Sequence, residues 1–210
     1  MSTPDRDTAN PPGPADPAPL GLAAFALTTF LLSAKNAGFT DGTDAWLGYA
    51  LGYGGLVQLC AGMWEFRNRN VFGATAFSSY GGFWIGLSLE VLIAAPTAKS
   101  ESQVLNDQAW ILLAFAIFNL YMLIASTQVN HAVFGVFITL QATEVILFIG
   151  LFADNAMLIK IGGYVGILTA LVAWYTSFAG VFNGLAGRPA IKVGSPMLKP
   201  RPAVEETTSA

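Results

Sequence analysis

Between Leu20 and Gly187 the chain carries six apolar stretches, and a single proline, Pro96, falls among them, at the end of the third. A helix that crosses a bilayer needs about 20 mainly apolar residues, and proline inside a helix would break it. The stretches run over 18–36, 45–66, 71–95, 108–126, 131–152 and 157–185. Charges are confined to short clusters, most of them in the connections "AKNAGFTDGTD", "RNRN", "TAKSESQVLND", "TQVN" and "FADNA". Of the whole chain 54% is hydrophobic and 11% charged, against about 25% charged in a soluble domain, so the outer face meets lipid. The expected fold is an all-α integral membrane protein, with six transmembrane helices over 16–187. Short connections make sequential helices antiparallel neighbours in one compact bundle.

The flanks differ. Residues 1–15 are rich in proline, lack the basic start and apolar core of a cleavable signal, and are expected to form a disordered tail. Residues 188–210 are expected to form a second one. Six spans put both termini on one side. Arg6, Arg67, Arg69, Arg188, Lys192, Lys199 and Arg201 lie on that side and Lys35, Lys99 and Lys160 on the other, which makes the termini cytoplasmic. The expected location is therefore the plasma or inner membrane of the cell. A net charge of −3 offers no polybasic arm to nucleic acid. Cys60 is the only cysteine, so no internal disulfide forms, and a packed apolar role is expected for it.

Two short patterns have local consequences. Gly48/Gly52, Gly82/Gly86, Gly162/Gly166 and Gly180/Gly184 are each spaced by four, which puts both members on one helical face and lets another backbone approach. In "DPAPLGLAAF" Asp16 is placed to cap the first helix, accepting from Ala18 or Leu20. Pro17 and Pro19 then fall in the first turn, where amide protons have no helical partner anyway. This defines a rigid helix start, structural capping or the positive end of a helix dipole set beside an anion path.

The stretch "DPAPLGLAAFALTTFLL" resembles the N-terminal signature of the acetate uptake transporter family, also called the succinate–acetate permease family, whose motif reads Asn-Pro-Ala-Pro-Leu-Gly-Leu. "YGGLVQLCAGMWEF", "NVFGATAFSSYGGFW" and "NGLAGRPAIKVG" resemble the family's second, third and sixth helices, in order, and the likeness covers about residues 16–194. The resemblance implies six helices per subunit, a ring-like homo-oligomer of six subunits with a path through each, and passage of acetate or related small carboxylates such as succinate. It also implies an apolar constriction at Phe25, Tyr80 and Leu140, with Ala173 and Tyr175 in the pore-lining part of the last helix. One departure is Asp16, which puts a negative charge where the family has asparagine.

A carboxylate leaving water loses several kcal/mol of hydration, on the order of what buried polar groups cost, unless donors replace it. Candidate donors are Thr28 and Thr29, Asn36, Gln58, Ser78 and Ser79, Asn119, Gln141, Thr176 and Asn183, with Thr28, Gln58, Ser79, Asn119, Ala173, Tyr175 and Asn183 as candidate substrate-binding residues. Glu90 lies near the end of the third stretch and is expected to reach water, and Glu65 is expected to pair with Arg67 and Arg69 at the membrane edge. Glu144 lies deeper, on the same side of its helix as Gln141, and is either a proton-coupling group or a subunit-contact hydrogen bond. His131 is expected at the interface. One histidine, one cysteine and scattered acids make no metal cluster, and no serine sits in a nucleophile motif, so no enzyme, metal site or cofactor is expected. The rival functions are an ammonium-linked exporter of the same family and a non-transporting membrane scaffold or receptor.

Overall fold

The computed structural model describes residues 14–198. The N-terminal tail expected over 1–15 lies almost wholly outside that range, as do residues 199–210 of the expected C-terminal tail. Every regular element among the described residues is helical.

Helix α1 (Ala18–Asn36) starts as its prolines dictate. The Asp16 carboxylate accepts from the Ala18 N–H at 2.9 Å, Pro17 already has helical dihedrals (φ −82°, ψ −11°), and its carbonyl accepts from Gly21. After a loop, α2 (Leu47–Tyr49), a π-helical stretch (Ala50–Val57) and α3 (Gln58–Arg67) follow one another without a break. The wide π coil lies directly on α1: a Cβ at Gly54 would fall 2.5 Å from Thr28 Oγ1, so only glycine allows this approach. Next come α4 (Val71–Leu89), a second π stretch (Glu90–Ala94) and a 3-10 turn (Ala95–Thr97) that takes up Pro96.

The remaining helices are α5 (Glu101–Ser126), α6 (His131–Phe152) and α7 (Ala156–Ala186). Asparagine opens three of the seven α-helices among the described residues. Asn70, Asn130 and Asn155 accept through Oδ1 from Gly73, Val133 and Leu158 at 3.1, 2.9 and 3.1 Å, each satisfying an amide that the first turn leaves free. Helix α5 begins earlier than its apolar stretch. Ser100 Oγ accepts from the Gln103 N–H at 3.2 Å and Gln103 Oε1 accepts from the Lys99 N–H at 3.1 Å, a reciprocal cap that extends the helix into polar sequence. Gly187 ends α7 at φ +61°.

Five of these segments are long and apolar enough to cross a membrane: Ala18–Asn36, Val71–Thr97, Glu101–Ser126, His131–Phe152 and Ala156–Ala186. Helix α1 packs on α7, α7 on α6, and α6 on α5, while α3 and the first π stretch pack on α4 and α1. Large apolar side chains such as Ile117, Ile124, Leu168 and Phe178 remain exposed on the outside, as a lipid-facing surface requires. Cys60 is exposed there too, rather than packed inside.

The glycine pairs divide. Gly162 and Gly166 work inside the bundle, where an added Cβ would strike Leu147 and Ser33 respectively, and Gly180 lies against Pro19. Gly48, Gly52, Gly82, Gly86 and Gly184 meet nothing within 4 Å. Those faces are open, so they do not tighten this subunit.

Residues 188–198 run across the helix ends as an extended strap. Asn183 Nδ2 donates to the Ile191 carbonyl at 2.9 Å while its Oδ1 accepts from the Ile191 N–H at 2.7 Å. The Tyr175 hydroxyl donates to the Lys192 carbonyl. Further on, the Val193 carbonyl accepts from Ala132 at 2.9 Å, and Met197 donates to the Thr127 carbonyl at 2.8 Å. His131, at the start of α6, lies under Gly194.

Candidate functional site

Helices α1, α4 and α6 bring one residue each to a common point. The Phe25 and Tyr80 rings meet edge to face with centroids 5.6 Å apart, and Leu140 joins them in the buried core. All three line two cavities at once, one on either side of them. The larger, a chamber of about 40 Å³, is bounded also by Thr29, Ser33, Trp84, Thr143 and Glu144. A void of about 20 Å³ on the other side reaches Gln58. Beyond the chamber, sharing Leu32, Asn36, Phe83, Leu112 and Leu147 with it, a vestibule of about 310 Å³ opens among the ends of α1, α4 and α6. Vestibule, chamber, waist and void therefore follow in series through the bundle.

Polar atoms without partners lie along this series. Thr29 Oγ1, Trp84 Nε1 and Glu144 Oε2 are buried and make no hydrogen bond, and each belongs to a residue of the chamber wall. Gln58 Oε1 is likewise buried and unpartnered beside the void. An unmet buried polar group costs roughly 1–3 kcal/mol. A solute that hydrogen-bonds here recovers that cost.

A connected network fixes Tyr80 from behind. Its hydroxyl lies 3.1 Å from both Asn119 Oδ1 and Glu144 Oε1. Asn119 Nδ2 donates to the Phe137 carbonyl at 3.0 Å and to Gln141 Oε1 at 2.9 Å, and Gln141 Nε2 donates to the Ala116 carbonyl at 3.2 Å. Phe83, Phe115 and Phe118 pack around the Tyr80 ring with centroids 5.5–6.3 Å away. The waist is thus held from three helices.

The other residues singled out in the sequence fall elsewhere. Thr28 sits at the α1 contact with Gly54, its hydroxyl donated to the Ala24 carbonyl at 2.9 Å; its neighbour Thr29 faces the chamber instead. Asn119 has both ends committed to protein partners. Ser79 lines an external groove of about 530 Å³ between α4 and α5, together with Gly82 and Gly86. Ser78 is turned toward Gly62. Ala173 is fully buried in the core cluster that holds Phe25 and Leu140, and Thr176 Oγ1 donates to the Val172 carbonyl at 2.8 Å. Tyr175 and Asn183 hold the strap.

Glu90 Oε2 accepts from Gln108 Nε2 at 3.0 Å in a partly buried contact. Glu65 does not pair with Arg67 or Arg69. It is fully buried with neither carboxylate oxygen bonded, against Gly73 at the start of α4, while both arginines are exposed. Helix α3 ends at Arg67, and Arg69 at φ +58° turns the chain away from it. Trp84 was missing from the sequence reading. Its position four residues after Tyr80, on the same helical face, was the signal available.

A model of the GPR1/FUN34/yaaH family matches residues 3–188. The chain is 42% identical over 183 residues to acetate permease A of Emericella nidulans, covering 80% of this chain and 61% of that protein. It is 38% identical over 173 residues to ammonia transport outward protein 2 of Saccharomyces cerevisiae, with the same two coverages. The chain therefore spans about three-fifths of the length of these fungal relatives. To the succinate-acetate/proton symporter SatP of Escherichia coli K12 it is 32% identical over 180 residues, covering 86% of this chain and 95% of that one. The solved structure of the bacterial acetate channel SatP superimposes with a TM-score of 0.80 at 33% identity, covering 86% of this chain and 99% of the other.

Proposed function

Because the chain belongs to the GPR1/FUN34/yaaH family, we propose that it passes acetate and related short carboxylates, succinate included, along a path inside each subunit whose narrowest point is Phe25, Tyr80 and Leu140. The observation that carries this reading is the series of cavities meeting at those three side chains. Thr29 Oγ1 and Gln58 Oε1, unmet on either side of the waist, are the stations at which cargo hydrogen-bonds, the hydroxyl able to donate or accept and the amide oxygen able only to accept. No lysine or arginine lines the chamber, so no fixed positive charge holds the cargo there and it is free to leave. Glu144 is the proton-linked group of the chamber.

Six spans are proposed, the sixth being the unbroken run from Leu47 to Arg67, with both termini cytoplasmic in the plasma or inner membrane and the vestibule facing outward. Subunits assemble as a ring of six through small-residue faces. The open faces at Gly48/Gly52 and Gly82/Gly86 suit such contacts, since they admit another backbone closely.

Labelled acetate flux into liposomes holding the purified protein tests the function, with and without an imposed pH gradient. Acetate should enter faster than in empty liposomes, exchange with unlabelled acetate, and do so faster when the outside is acidic. Methylammonium moving in place of acetate would favour the ammonium-linked alternative, and flux of neither would leave a scaffold.

A further inference from the structure

The geometry points to a chamber that seats its cargo as the undissociated carboxylic acid, whose O–H donates to Glu144 Oε2; this rests on the reading of the chamber as part of the acetate path. The inference follows from hydrogen-bond direction. The carbonyls of Ala116 and Phe137 can only accept. Gln141 must therefore present Nε2 to Ala116, and Asn119 must present Nδ2 to Phe137. Asn119 Nδ2 then also donates to Gln141 Oε1, which leaves Asn119 Oδ1 as an acceptor toward Tyr80.

A phenol has one proton, and Tyr80 gives it to Asn119. The 3.1 Å contact between the Tyr80 oxygen and Glu144 Oε1 consequently needs a proton from Glu144. Glu144 is a carboxylic acid with its proton on Oε1. Its other oxygen, Oε2, is a carbonyl oxygen, buried, unpartnered and part of the chamber wall. It can accept and cannot donate.

That polarity selects the cargo. A carboxylate ion would bring acceptor oxygens against an acceptor, with no proton between them. An undissociated acid brings an O–H for Glu144 Oε2 and a carbonyl oxygen for the unpartnered Thr29 hydroxyl or Trp84 N–H. One water needs roughly 10–15 Å³ of such space, so a cavity of about 40 Å³ suits a cargo the size of acetic acid. Charges do not compete. The titratable group facing Glu144 from α4 is Tyr80; α1 presents Thr29 and Ser33, α5 presents Leu112 and Asn119 with Tyr121 standing behind Phe118, and α7 presents Thr169 through Thr143. The proton link at Glu144 thus takes a definite form: the cargo brings the proton, and Glu144 receives the hydrogen bond.

Equilibrium binding of labelled acetate to the full chain in lipid nanodiscs, over a pH series, tests this, with acetamide as a permanently neutral probe of the same shape. Apparent acetate affinity should fall about tenfold per pH unit once the acid is mostly ionised, while acetamide competes equally at every pH. Acetate affinity that stays flat or rises with pH, with acetamide unable to compete, would overturn the inference. Glu144→Gln keeps an amide donor for Tyr80 and an acceptor oxygen for the cargo, so it should retain both behaviours. Loss of the pH dependence in that variant would make Glu144 itself the titrating carrier and would also overturn it. Thr29→Val combined with Trp84→Phe, which removes both donors for the cargo carbonyl, should weaken acetic acid and acetamide together by about tenfold, the loss of one hydrogen bond; no change in that folded double variant would mean that the carbonyl meets neither group and that the chamber is no seat. Wild-type flux separates the two levels. A protein that carries acetate but binds it without regard to pH defeats only the seat, whereas one that carries no acetate defeats the transport reading beneath it.

Discussion

At the waist, Leu140 contributes one aliphatic side chain against two aromatic rings, and it borders both cavities. Phe25 and Tyr80 lock each other, and Tyr80 is tied further through its hydroxyl. Leu140 is therefore the side chain whose size can change with least disturbance to the network. We predict that Leu140→Ala lets lactate through, raising labelled lactate uptake relative to acetate by about tenfold or more, since a single methylene discriminates by about 1–3 kcal/mol. Lactate uptake that stays at its original level in a folded variant would remove the waist from the mechanism. The truncation itself costs about 2–5 kcal/mol of packing, so a melting curve belongs beside the flux measurement. At this scale the sequence was informative where a motif was long. "LAAFALTT" and "AFSSYGGFW" pointed to Phe25 and Tyr80, which do meet. Orientation was less legible: one residue separates Thr28, spent on its own helix, from Thr29, free in the chamber. In a helix that step is about 100° of rotation, and apolar residues on all sides of a membrane helix leave no polar face from which to read it.

Among the elements, the tightest crossing is that of α1 with α7. A Cβ at Gly163 would lie 2.8 Å from the Ser33 carbonyl oxygen and from the Asn36 carbonyl carbon, which are backbone atoms and cannot yield as a side chain can. Gly163→Ala should lower the detergent melting temperature, through an overpacking penalty of about 1–3 kcal/mol. Gly82→Ala, with nothing within 4 Å, should leave the melting of the isolated subunit unchanged or slightly raised, because alanine favours helix over glycine by about 1 kcal/mol. Equal destabilisation by the two substitutions would contradict the packing described. Element limits were legible where hydropathy and capping agree, as at Ala18–Asn36 and His131–Phe152. They were not where a polar cap lengthens an apolar helix, as Ser100 and Gln103 do for α5. The π stretch at Ala50–Val57 had no signature beyond its glycines, and those had suggested only close packing.

The described residues present an apolar belt and, at Gly48/Gly52 and Gly82/Gly86, faces bare of side chains. Native mass spectrometry from lipid nanodiscs should find six copies together. Gly86→Leu, which puts a bulky group on the open face without touching the subunit's own core, should shift the population toward single subunits while the helical content is retained. A variant that still assembles fully would place the contact elsewhere. The overall helical membrane architecture could be read from apolar length and sparse charge. What no single-chain pattern disclosed was the fate of residues 188–198, whose composition reads as solvated tail but whose backbone is bound by Asn183, Tyr175, Ala132 and Thr127. Because this strap crosses back to the α5–α6 turn, a fluorescent protein fused directly after Leu198 would hang from beside Thr127 rather than from the end of α7. Energy-transfer distances measured from such a fusion should accordingly be referred to that anchorage.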